Sequence, residues 1–175
     1  NCFASKRWTR PNEWMDVIKK LGIYYIEASA DNECDPLYTC KDYLNEWMEE
    51  VKKCSAQKGV KIVNFYSGHG SYTTLGLSHT DLRVRDRFLN DWLKPMAKMA
   101  GSLGCGLGFY CHAFNDSVLQ NVEEYKRAEE DLYERLSELS VYSWENDVAT
   151  IGIEQMYTPH QIPWTIKGTE KLLKE

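Results

Sequence analysis

The chain alternates short β-branched and aromatic runs with longer stretches whose apolar residues recur at helical spacing, and this rhythm restricts the fold more than any single residue does. Strand-like runs occupy residues 1–5, 23–28, 60–67, 107–112 and 149–155. Helical stripes follow them. Pro11 opens one with Trp14, Val17, Ile18 and Leu21, closed by Gly22. Tyr43, Leu44, Trp47, Met48 and Val51 mark the next, closing near Gly59. Phe88, Leu89, Trp92, Leu93, Met96, Met99 and Ala100 mark a third. A long charged helix over 122–144 carries Tyr125, Leu132, Leu136 and Leu139, and another begins at Thr165. Five βα units at a spacing of roughly 40 residues imply a parallel sheet covered by helices. No glycine-rich phosphate fingerprint follows the first run, which disfavours a dinucleotide-binding fold. The expected class is therefore α/β, and the expected architecture a (β/α)8 TIM barrel. Five units do not close such a barrel. The chain is expected to be the first five of eight units of a barrel of about 250 residues or more, the remainder coming from further sequence or from a partner chain.

Bulk composition excludes several classes of function. The 175 residues are 43% hydrophobic and 27% charged, an ordinary globular balance. No apolar run approaches the roughly 18 residues of a membrane span, so no membrane partner is expected. The net charge of −5 makes the chain a poor binder of phosphate backbones, and no nucleic-acid partner is expected. The six cysteines form no CxxC pair. They read as reduced, partly buried thiols of a cytoplasmic protein.

Barrels of this kind build their sites at the C-terminal ends of the strands. Glu154 stands at such a place, after the apolar run Ile151-Gly152-Ile153 and before Pro159. A carboxylate ending a buried strand needs a cation, a metal or hydrogen bonds to compensate for desolvation. The bland alternative is an ion pair with a Lys or Arg. Glu27 ends the second run, His69 follows the third in a Gly- and Ser-rich loop, and His112 ends the fourth. His160 lies in a stiff loop between Pro159 and Pro163. Trp8 and Trp164 offer apolar walls, or cover for the barrel rim. His79 reads as a solvent-exposed loop residue. Histidine nitrogen with carboxylate oxygen suits Mn, Co, Mg or Zn.

At these residues the sequence resembles the xylose isomerase-like barrels, the superfamily of sugar phosphate isomerases and epimerases. The motif is Gly152-Ile153-Glu154-Gln155-Met156-Tyr157-Thr158-Pro159-His160-Gln161-Ile162-Pro163-Trp164-Thr165, with a weaker echo at Ile26-Glu27. The resemblance implies that residues 1–175 form the N-terminal part of one such barrel. It implies a metal-dependent sugar or sugar phosphate isomerase or epimerase, which moves a proton through a metal-stabilised enediolate. Glu154 would then be metal ligand and proton-transfer residue, with manganese expected first and cobalt, magnesium or zinc as alternatives. Glu27, His69, His112 and His160 would contact a small sugar, and Trp8 and Trp164 would wall it. The segment His69-Gly70-Ser71-Tyr72-Thr73-Thr74-Leu75-Gly76 also resembles the third-strand motif of endonuclease-IV-type abasic-site nucleases. In that case His69 and His112 would join Glu154 as zinc ligands. A lyase subunit that cleaves carbon-linked glycosides, and a non-catalytic sugar- or metal-binding barrel, are the remaining alternatives. A homo-oligomer or a partner chain is compatible with each.

Overall fold

The computed structural model describes residues 8–30, 34–66, 75–111 and 113–174. Four strands follow one another in the chain and in space: β1 (Tyr25–Ser29), β2 (Lys61–Tyr66), β3 (Gly106–Phe109) and β4 (Ile151–Ile153). They pair in the order β1-β2-β3-β4, and every pairing is parallel. These are the second to fifth strands expected from the sequence. The first, at residues 1–5, lies outside the described residues, as do His69 and His112.

Each crossover between strands is helical, as parallel pairing requires. α1 (Pro11–Lys20) begins with Pro11, and the Glu13 carboxylate accepts the Arg10 backbone N–H. It buries Trp14, Met15 and Ile18. α2 (Lys41–Lys58) ends at Gly59, whose φ of 75° lets the chain turn into β2. The crossover from β2 to β3 starts earlier than its apolar stripe suggests. After a 3-10 turn at Gly76–Ser78 it runs through α3 (Leu82–Arg87), a π-helical segment at Phe88–Leu93 and α4 (Lys94–Leu103). The π segment sits just before Pro95, whose missing N–H breaks the α ladder there. The last crossover is α5 (Asp116–Leu119) followed by α6 (Val122–Glu145), and α7 (Ile166–Leu172) follows β4 with Thr165 as its cap.

One face of the sheet is covered by this helical layer. Trp47, Phe65, Trp92, Leu107, Phe109 and Leu132 are each at most 1% exposed. Trp47 and Phe65 join α2 to β2, with ring centroids 6.1 Å apart. On the other face Tyr25 and Glu27 stand exposed. That open face corrects one premise. Within these 175 residues β4 is only half-buried and Glu154 is exposed, so burial by this part of the chain is not what sets Glu154 apart. His79 departs from expectation too: it is half-buried, and its Nδ1 accepts the Asp81 backbone N–H at 2.9 Å.

Candidate active site

Side-chain alternation should put Lys61, Val63 and Phe65 on one face of β2, yet Val63 is exposed and Phe65 fully buried. The register explains this. Ile26 pairs with Ile62, but Glu27 pairs with Asn64, so Val63 is an extra residue opposite β1. Such a bulge moves every later side chain to the other face. Ile62 and Phe65 thus both reach the helical layer, while Asn64 and Tyr66 come to the open inner face.

β3 receives them with glycine. Asn64 pairs with Gly106, and Tyr66 with Gly108. A Cβ on Gly106 would lie 2.6 Å from Asn64 Oδ1. One on Gly108 would lie 2.9 Å from Asn64 Nδ2 and 3.1 Å from Tyr66 Cδ2. Any larger residue would therefore collide with the two side chains from β2. Tyr66 extends across Gly108, and its hydroxyl donates to Oε2 of Glu154 just beyond β4. The Glu154 backbone N–H continues the ladder to the Phe109 carbonyl at 2.9 Å. Asn64, Tyr66 and Glu154 thus form one polar constellation over a floor with no side chains. The first two went unnoticed in the sequence. Their signal was a polar pair at i and i+2 in an otherwise apolar run.

The remaining expected site residues are placed as follows. Glu27 is central in β1 rather than at its end, and its side chain is exposed. Among the described strands it stands on the opposite edge of the sheet from β4. The loop after β4 folds onto the segment after β3: Ala113 bridges Gln161, and the His160 carbonyl accepts the Phe114 N–H at 2.7 Å. The half-buried His160 ring has Nε2 3.5 Å from Thr158 Oγ1. Trp8 packs, partly buried, against the core. Trp164 is 40% exposed. No Lys or Arg pairs with Glu154 among the described residues, so the bland ion-pair alternative is not what holds it.

The family model of the xylose isomerase-like TIM barrel matches residues 15–175. The chain belongs to that family. A Rhodospirillum rubrum protein provisionally named a xylose isomerase superposes with a TM-score of 0.87 at 18% identity, over 99% of this chain and 58% of that one. The D-psicose 3-epimerase of Clostridium cellulolyticum gives 0.67 at 15% identity, over 93% and 53%. A xylose isomerase-like barrel protein of Mycobacterium smegmatis, solved with magnesium, gives 0.59 at 13% identity, over 93% and 51%. At these identities the likeness is one of fold. The chain spans a little over half the length of these proteins. No curated protein matches it. As a xylose isomerase-like barrel, the chain presents Asn64, Tyr66 and Glu154 on the face that lines the barrel interior. An exposed carboxylate with no cationic neighbour among the described residues suits a hard divalent cation. Among the described residues no three His, Cys, Asp or Glu side chains are grouped to hold one. Glu154 fits as one ligand, and further donors would have to join it.

Proposed function

We propose that the chain supplies the N-terminal part of a divalent-metal-dependent sugar isomerase or epimerase that moves a proton at a carbon beside a carbonyl. The observation that carries this reading is Glu154: a carboxylate just past the C-terminal end of a parallel strand, with no Lys or Arg partner among the described residues, and gripped by a tyrosine over a glycine floor. Family membership supports it, as do an epimerase of sugars and a magnesium-bound protein among the fold neighbours.

A bound metal, manganese first and cobalt, magnesium or zinc otherwise, would supply positive charge where the substrate's oxygens become negative. The chain's own residues do the rest. Glu154 would contribute one ligand oxygen and would be one partner in proton transfer when held in line with the C–H bond, a second carboxylate coming from further strands. Asn64 and Tyr66 fill the space over Gly106 and Gly108, so a polyol would meet these two side chains rather than the strand. The Asn64 amide, which both donates and accepts, suits its hydroxyls. Glu27, His69, His112 and His160 are proposed as further hydroxyl contacts, and Trp8 and Trp164 as apolar walls.

The test is Glu154→Gln, which keeps shape but removes charge. In the complete protein, metal content and ketose–aldose or epimer turnover should fall together, turnover by about 100-fold or more. Mn, Co, Mg and Zn are supplied in turn. A variant that keeps full metal and full turnover makes Glu154 structural and ends this reading. Cleavage of abasic DNA, or of a carbon-linked glycoside, by a wild type inactive on sugars would transfer the fold to one of those chemistries.

A further inference from the structure

We propose that Tyr66 is a positioning residue for the Glu154 carboxylate, and that Gly108 is the clearance that lets it reach. The proposal rests on the reading of Glu154 as a cation ligand. β2 and β4 are not neighbours, for β3 lies between them. Two strand spacings, roughly 10 Å, separate their backbones. The Tyr66 side chain bridges that span only by passing over β3 at Gly108, where a Cβ would stand 3.1 Å from its ring. On the far side its hydroxyl donates to Oε2 of Glu154, which leaves Oε1 available to another partner.

Solvation does not require this contact. Within these 175 residues Glu154 is exposed, so water reaches its carboxylate without help. An exposed hydrogen bond of this kind also adds little to folding. What it changes is freedom: a phenol donating to a carboxylate holds it in one rotamer through a charge-assisted bond. Metal-binding carboxylates are commonly held in this way, and loss of the holding group weakens metal affinity by about 10- to 100-fold. The bulge at Val63 completes the device, because without it Tyr66 would face the helical layer.

The experiment has two arms on the complete protein. The first needs no metal. Difference Raman spectra of wild type minus Tyr66→Phe isolate the hydrogen-bond state of the Tyr66 phenol. Wild type should show a phenol donating to a carboxylate. Glu154→Ala and Gly108→Ala should lose that signature. Gly152→Ala should keep it, since its Cβ would meet only Gly108 Cα at an ordinary 3.8 Å. A signature unchanged in Glu154→Ala overturns the proposal whatever the protein's function. The second arm titrates Mn2+ by electron paramagnetic resonance. Tyr66→Phe and Gly108→Ala should bind Mn2+ about 10-fold or more weakly, and Glu154→Gln should not bind it measurably. If Glu154→Gln abolishes binding while Tyr66→Phe binds as wild type does, the metal reading stands and the positioning role falls. If wild type binds no Mn2+, and calorimetry finds no binding of Co2+, Mg2+ or Zn2+ either, the metal reading falls and takes the positioning role with it. Should Gly108→Ala fail to fold, Tyr66→Phe carries both arms, because it removes one hydroxyl from a half-exposed ring.

Discussion

Cys105 and Cys111 bracket β3, and burial pushes both thiols up to about 12. The thiolate is the reactive form, so neither can act as a nucleophile near neutral pH. Cys34 and Cys54 are buried as well, whereas Cys40 is exposed. In a Cys2→Ser background, a disulfide reagent at pH 8 should modify one thiol quickly, and all five after denaturation. Rapid loss of more than one, read from the released chromophore, would contradict the burial of the other four. The same thiols carry a pH dependence. Between the ordinary value of 9.0 and about 12 the folded chain holds protons that the unfolded chain has released. Stability should therefore fall as pH rises through that window, and less steeply in Cys111→Ala. At this scale residue types were readable and environments were not. Glu154 was singled out for its place after an apolar run, on the premise that the run was buried. The premise failed because the two faces of β4 differ: Ile151 and Ile153 pack toward the helices, while the inner face is open.

At the scale of elements, α4 meets the end of α6 so closely that a Cβ on Gly101 would overlap the Asn146 carbonyl oxygen. Two effects of Gly101→Ala oppose each other. Alanine favours a helix interior by about 1 kcal/mol. Forcing a methyl group against backbone destabilises by about 1–3 kcal/mol or more, because backbone cannot swing aside as a side chain does. The clash should win, lowering the urea midpoint by the equivalent of about 1–2 kcal/mol. A raised midpoint would mean that the helices do not approach so closely. The helices with apolar stripes were legible from periodicity, since Phe88, Leu89, Trp92, Leu93 and Met96 are all buried where the spacing put them. α3 was not, for it buries no residue and carries Arg83, Arg85 and Arg87 instead. Its one sequence signal was the cap, where Asp81 accepts the Arg83 backbone N–H at 2.9 Å.

Across the whole molecule, protection should grade from the centre of the sheet outward. β2 and β3 are each paired on both sides, and β3 is fully buried. β1 and β4 are paired on one side among the described residues. Hydrogen exchange of the 175-residue chain should therefore be slowest at Phe65, Leu107 and Phe109, and faster at Ile151 to Ile153. Equal protection of β4 would mean that something further pairs with it. The sequence by itself determined the alternation of strands and helices, and with it a parallel sheet in chain order. Periods of 2 and 3.6 are local properties, and a helical crossover leaves parallel pairing as the outcome. It also marked Glu154, because a carboxylate after an apolar run is visible in one dimension. Only the tertiary structure decided which side chains share a face. One extra residue at Val63 moved Asn64 and Tyr66 to the inner face, and a glycine on the neighbouring strand let Tyr66 reach Glu154, 88 residues away. A bulge is a mismatch between two strands, and a clearance is a relation among three, so neither exists until the strands lie side by side.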